Sequence, residues 1–319
     1  MIIYFFILAI SLIIVYLITP NIRYIALKFY VIDKVNHRKI HKKLVTKLGG
    51  LAIYAGFLGG LFIIVLFDIN FFRSNFYPLA GLLICSSLML LLGVYDDFQG
   101  SGALQKFIIQ IIIAGLVIKS DFLLKGVSIP GIIDLKFGMF SIPLTIFWLV
   151  GITNSVNLID GLDGLAAGLS GIAASFIFFS GLMTGDVFIS YVALALAGAC
   201  FAFLRYNFYP AKIFMGDTGS LFLGLIIGIL ALYRSNPASS SNTYFLPAVC
   251  VLFIPIVDTV FAIIRRLLRK QHIFKGDFSH VHHYFIKKGY SQSAAVIRFY
   301  LVTLGFGILA LLITWFLVF

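Results

Sequence analysis

The chain contains no glutamate; all 12 of its acidic residues are aspartate. Charge of either sign is scarce, at 11% of 319 residues, where an average soluble domain carries roughly 25%. Without Glu, the Glu–Lys pairs that dress soluble surface helices cannot form. Cysteine is also rare: Cys85, Cys200 and Cys250 each sit inside an apolar run. Their spacing matches neither a disulfide framework nor a metal site, so they read as small buried hydrophobes. Low-complexity tracts are missing, as is any internal repeat of the kind that marks many transporters. These absences exclude a soluble globular protein, a secreted disulfide scaffold and a disordered chain. What is abundant is apolar surface, with 61% hydrophobic residues and a mean hydropathy of +1.07. The sequence reads as an all-α polytopic integral membrane protein.

A bilayer-crossing helix needs about 20 mainly apolar residues. The gaps between charges give ten such segments, near 2–20, 48–67, 77–94, 104–120, 141–157, 164–183, 187–204, 218–233, 244–264 and 299–318. The fourth is the shortest of charge-free runs, bracketed by Lys106 and Lys119, which can snorkel. The first 22 residues have no basic head and no small-residue cleavage site, so they read as a retained span and not a signal peptide. Ten crossings put both termini on one side. The joints 20–47, 95–106, 154–164, 205–217 and 265–298 hold 19 of the 24 Lys and Arg. By the positive-inside rule these joints face the cytoplasm and both termini lie outside. The opposite segment 121–140 has turn residues between short apolar runs and is expected to form a small external β-hairpin. All of 1–319 is read as a single transmembrane domain.

All six His and seven of the twelve Asp fall on the cytoplasmic joints. Insertion does not require this, so it points to a catalytic cytoplasmic cleft. In TNSVNLIDGLDGL, residues Asn154, Asn157, Asp160 and Asp163 recur every three positions, on one slowly rotating helix face. Buried charge at a membrane rim must be paired or bound to a cation; a solvated turn with an Asp cap is the plainer reading. In NFYPAKIFMGDTGS, Asp217 makes a good helix start, which offers a capping role beside a catalytic one, while Gly216 lets backbone approach a ligand. Phe214 could stack on a nucleobase or simply pack. The adjacent Asp96 and Asp97 repel unless a cation or divided protonation separates them, and Lys106 could close over a phosphate. Asp258 is an ionisable group inside a span, functional by default. The histidines of DFSHVHHYF suit phosphate contacts better than a metal site, and the basic first loop suits an anionic substrate or anionic lipid headgroups. Scattered Asp and Asn are hard oxygen ligands, which imply Mg²⁺ held by one or two protein groups plus phosphate oxygens. Phosphoryl transfer at the membrane surface fits them all.

HRKIH…LGG, GVYDD, TNSVNLIDGLDGL, FMGDTGS, PIVDT…RR and DFSHVHH follow one another in this order over about residues 37 to 290. Together they resemble the polyprenyl-phosphate N-acetylhexosamine-1-phosphate transferases (the MraY, WecA and TagO type, glycosyltransferase family 4). HVHHYF, with no Glu after the Tyr, and Asp258-Thr259 place the resemblance on the WecA/TagO-like branch. The resemblance implies Asp217 as a magnesium ligand with Asn157 beside it. Asp160, Gly161, Leu162 and Asp163 would hold the uridine, Phe214 would stack on uracil, and Asn207 would add a nucleotide contact. Asp96 and Asp97 match a pair that deprotonates or positions the lipid phosphate, with Lys106 by phosphate. His280, His282 and His283 would contact the diphosphate or sugar; Arg38 and His41 match the first-loop motif.

The implied reaction transfers N-acetylhexosamine-1-phosphate, with GlcNAc as the sugar, from its UDP donor to undecaprenyl phosphate. UMP is released and a cell-surface glycan is initiated. The implied cofactor is Mg²⁺, with Mn²⁺ as a substitute. Implied partners are UDP-N-acetylhexosamine, undecaprenyl phosphate and membrane lipids, with no nucleic acid and a homodimer left open. The implied place is the bacterial cytoplasmic (inner) membrane. MraY-type UDP-MurNAc-pentapeptide and UDP-6-deoxy-HexNAc are alternative donors. A CDP-alcohol phosphotransferase fits the start of D-x-x-D-G-x-x-A-R at Asp160, Asp163, Gly164 and Ala167, but Gly168 stands where Arg is needed. An anion transporter would need polar residues at mid-span, and only Asp258 qualifies.

Overall fold

A computed structural model describes residues 1–33, 45–129, 133–233, 244–271 and 281–318. It contains α1 (Ile2–Lys28), α2 (Gly49–Phe67), α3 (Ile69–Ser74), α4 (Phe76–Gln99), α5 (Ala103–Lys119), α6 (Ser141–Ile159) and α7 (Leu165–Thr184). There follow α8 (Val187–Asn207), α9 (Gly216–Leu232), α10 (Phe245–Val251), α11 (Phe253–Leu268), α12 (Val281–Lys287) and α13 (Gln292–Val318). The chain is an all-α polytopic membrane protein. Among the described residues seven helices are long and apolar enough to cross a bilayer, and the α10–α11 pair, bent by 72°, makes up to eight.

Each of the ten segments expected from the sequence coincides with a helix or, for the ninth, with that bent pair. The count differs because α5 and α9 are only 17 residues long. At 1.5 Å per residue each reaches about 25 Å, the lower end of a span. The expected hairpin is present as β3 (Gly126–Ile129) paired antiparallel with β4 (Ile133–Lys136). A second, two-residue ladder joins β1 (Ile32–Asp33) to β2 (Val45–Thr46), and Thr46 also bridges to Ile213.

The short helix α9 is the axis of the fold. Every residue from Thr218 to Leu232 is buried, with α2, α4, α6 and α7 packed around it. By contrast α1 and α13 expose Leu, Ile and Phe outward, as helices facing acyl chains do. Lipid tails are as apolar as leucine, so close packing and small residues must hold such helices together. A β-carbon on Gly50 would come within 2.5 Å of Thr218 C, and one on Gly93 equally close to Thr218 N. A β-carbon on Gly224 would lie 2.6 Å from Thr153 Cα. Glycine thus lets α2, α4 and α6 touch α9 backbone to backbone. The first two of these contacts lie at the N-terminal end of α9, where the polar residues gather.

Candidate active site

Asp217 lies in the first turn of α9 but does not cap it. The N-cap position belongs to Met215, which has no side-chain acceptor. The cap comes instead from α4: Asp97 Oδ1 accepts from the Asp217 N–H at 3.2 Å. Asp97 Oδ2 accepts from the Thr218 N–H at 3.0 Å and from the Thr218 hydroxyl at 2.7 Å. The orphan N–H groups of a helix start are thereby satisfied by a carboxylate, which the helix dipole also favours. The capping role offered for Asp217 therefore belongs to Asp97.

Freed from capping, the Asp217 carboxylate turns toward α5 and α6. Its Oδ2 accepts from Lys106 Nζ and from Asn157 Nδ2 at 3.1 Å. Lys106 also pairs with Asp96 Oδ2 at 3.0 Å. The other Asp96 oxygen accepts from the Ser101 N–H at 2.9 Å and from the Ser101 hydroxyl. Four helix ends (α4, α5, α6 and α9) therefore converge on one ammonium and two carboxylates. Below them, Asn154 donates to Gln110 Oε1 at 2.6 Å, one turn from Asn157 and from Lys106. This amide pair fixes α5 against α6.

The loop between α6 and α7 is tied to the segment before α9. Asp163, buried, accepts from the Ala211 N–H at 2.9 Å. Asn207 accepts from the Gly164 N–H at 3.1 Å and donates to the Ile213 carbonyl at 3.0 Å. Gly164 has φ +79, and its carbonyl accepts from the Tyr300 hydroxyl of α13 at 2.5 Å. Phe214 is half-buried, its N–H on the Thr46 carbonyl at 2.8 Å and its carbonyl taking the Gly49 N–H at 2.9 Å. Leu162 is buried and Gly161 half-buried. Asn207→Ala leaves two buried backbone groups without partners, each costing about 1–3 kcal/mol. It should lower the unfolding midpoint by several degrees, read by thermal unfolding in detergent.

Electrostatics sharpen this picture. Burial first, then the Asp217, Asp97 and Asp163 carboxylates, push the Asp160 carboxyl up to about 8. A cation entering the site favours its ionised form. Lys47 lies 3.5 Å from Asp97 and 3.6 Å from Asp33. Burial alone would lower its pKa, but the Asp97, Asp33 and Asp217 carboxylates outweigh that and raise it.

Sequence reasoning missed Lys47, Ser101, Thr218 and Tyr300. Lys47 is one of eight basic residues in its joint, and no local pattern separates it from the others. Arg38, His41 and His280 lie outside the described residues. His282 and His283 fall on α12, but their side chains lie outside them too. Asp258 of α11 is buried and accepts from the Val281 N–H at 2.8 Å, joining α11 to the start of α12.

A sequence model described as "Glycosyl transferase family 4" matches residues 79–235, the stretch that supplies Asp96, Lys106, Asn157 and Asp217. A Bacillus subtilis protein named probable undecaprenyl-phosphate N-acetylglucosaminyl 1-phosphate transferase is 39% identical over 308 residues, 95% of this chain and 83% of that one. The chain belongs to glycosyl transferase family 4. Other family members include a Mycolicibacterium smegmatis decaprenyl-phosphate N-acetylglucosaminephosphotransferase, 34% identical over 91% of this chain and 77% of its own length. A Clostridium perfringens phospho-N-acetylmuramoyl-pentapeptide-transferase is 34% identical over 66% of each.

The Mg²⁺ expected from the sequence can be tested against these side chains. Among the described residues no three His, Cys, Asp or Glu gather into a closed cage. Mg²⁺ does not need one, since it commonly takes one or two carboxylates and fills the rest with phosphate oxygens and water. Asp217 offers a hard carboxylate whose Oδ2 takes the Lys106 ammonium and the Asn157 amide N–H; Asn157 would join the ligands by turning its amide carbonyl toward the cation. The donor set fits.

Proposed function

We propose that this family 4 protein transfers N-acetylglucosamine-1-phosphate from its UDP donor to undecaprenyl phosphate and releases UMP. The observation that carries the reading is the convergence of Lys106, Asn157 and Asp96 around Asp217. The GlcNAc donor is supported by the names of the relatives that match over nine-tenths of the chain, whereas the muramoyl-pentapeptide relatives match over two-thirds. The topology that suits it has ten crossings, with α5 and α9 as short spans and both termini outside. The site then opens to the cytoplasm, from a bacterial inner membrane. The distribution of Lys and Arg supports that orientation.

In this mechanism an oxygen of the lipid phosphate attacks the phosphorus that carries the sugar. The bond to the bridging oxygen breaks, and UMP takes that oxygen. A phosphate monoester has its second pKa near 6, so the nucleophile is largely dianionic at neutral pH and a strong base is unnecessary. Asp217 and Asn157 would hold Mg²⁺, with Mn²⁺ as a substitute, which supplies positive charge to the diphosphate and the departing UMP. Lys106, between Asp96 and Asp217, is placed to pair with a phosphate oxygen, and Asp96 keeps it pointing there. The loop 160–164 and Phe214, tied together through Asp163 and Asn207, would form the wall on which the uridine rests.

The purified protein should release UMP from UDP-GlcNAc only when undecaprenyl phosphate and Mg²⁺ are both present. UDP-MurNAc-pentapeptide and UDP-6-deoxy-HexNAc, added as competitors, should turn over more slowly. No UMP from any UDP-HexNAc under these conditions would overturn the transferase reading.

A further inference from the structure

Asp96 and Asp97 are adjacent in sequence but do different things in space. Asp96 faces Lys106 and Ser101. Asp97 has a side chain 0% exposed, with one oxygen on the Asp217 N–H and the other on the N–H and hydroxyl of Thr218. On its remaining side stands Lys47, itself held by Asp33. Gly216 has φ +70, and a β-carbon there would lie 2.7 Å from Asp97 Cγ. Gly93, one turn before Asp97 on α4, lets α4 come against the Asp217–Thr218 backbone. Residues of α4, the β2–α2 joint and the start of α9 thus serve one contact, between the Asp97 carboxylate and the start of α9.

We infer that Asp97 is a positioning residue, whose buried carboxylate fixes the first turn of α9 so that Asp217 points at Lys106 and Asn157. It does not accept a proton from the lipid phosphate. Three donors and one ammonium saturate both of its oxygens, and no substrate oxygen can reach a carboxylate with no exposed surface. Lys47 balances its charge and locks the β2–α2 joint to the same point. This rests on the transferase reading only for the assay, because the contact itself is independent of substrate.

The test combines turnover with amide hydrogen exchange on the purified protein in detergent. Asp97→Asn puts an amide donor against an N–H donor and loses the ion pair with Lys47. Exchange at the 214–220 peptide should speed by roughly tenfold or more for the loss of a hydrogen bond of ordinary strength, with the other helices unchanged. UMP release should fall by about 100-fold, the scale of a small misplacement of catalytic groups. Thr218→Val removes only the hydroxyl donor and should show the same two changes, each weaker. Combined with Asp97→Asn it should add almost nothing, since both act on one contact. Asp97→Asn that loses turnover while the 214–220 peptide exchanges as in wild type would overturn the inference. So would Thr218→Val at full speed, and that variant decides alone if Asp97→Asn does not fold. A wild type that releases no UMP would instead fail the transferase reading, while the exchange result still reports on the contact.

Discussion

Asp217→Asn is expected to lower UMP release by roughly 100- to 1000-fold, the range for removing one preorganised electrostatic group at a reacting centre. The substitution keeps size and one acceptor oxygen but removes the charge that Lys106 and Asn157 meet on Oδ2. Lys106 would then pair with Asp96 as its one remaining carboxylate partner here, and the proposed Mg²⁺ would lose its carboxylate. Stability should change little, because the first turn of α9 is capped by Asp97 and not by Asp217. The unfolding midpoint in detergent should move by less than about 4 °C, equivalent to about 1 kcal/mol in a protein of this size class. A variant that loses many degrees but keeps substantial turnover would show that Asp217 serves the helix and not the reaction.

Gly216→Ala should damage both stability and turnover, for two separable reasons. At φ +70 an alanine costs about 1–2 kcal/mol in backbone strain. Its β-carbon would also sit against the Asp97 carboxylate, 2.7 Å from Cγ and 2.8 Å from Oδ1. Asp97 is pinned by Lys47 and Thr218, so it cannot move aside without giving up the cap, worth a further 0.5–2 kcal/mol or about 1 kcal/mol typically. Turnover should fall by about 100-fold as Asp217 shifts, and the unfolding midpoint should drop by several degrees. Gly151→Ala on α6 is the matching control, since a β-carbon there meets nothing within 4 Å. Its rate should match wild type and its midpoint should not fall, since alanine favours a helix interior over glycine. A Gly216→Ala protein that behaves like this control would remove the tight fit from the account of the site.

Much of the fold was legible because membrane insertion is decided segment by segment. Each apolar run between charges became a helix or the bent α10–α11 pair, and the turn-rich stretch 121–140 became a hairpin. The shortness of α5 and α9 was already visible in the runs 104–120 and 218–233, but what fixes the start of α9 was not, since where a helix starts depends on its cap. At α9 the cap comes from Asp97, 120 residues away in sequence. The motif around Asp217 was visible, but its partners Lys106 and Asn157 lie 111 and 60 residues away. No local pattern joins them. Asp96 and Asp97 looked alike as neighbours. On a helix, adjacent residues point about 100° apart, and that rotation sends one to Lys106 and the other to α9.

The amino-acid sequence by itself determined that this protein lives in a membrane and that its few charges gather in a handful of motifs on the joints between helices. The first follows because hydrophobic transfer adds up locally, residue by residue, and a chain without Glu cannot clothe a soluble surface. The second follows because a charge kept in such a chain must find a partner or a ligand. Only the tertiary structure decided which carboxylate meets Lys106 and Asn157 and which one caps the helix that bears it. That choice depends on hydrogen bonds a few ångströms long between helices whose distance is set by Gly50, Gly93 and Gly224, and no one-dimensional spacing encodes it.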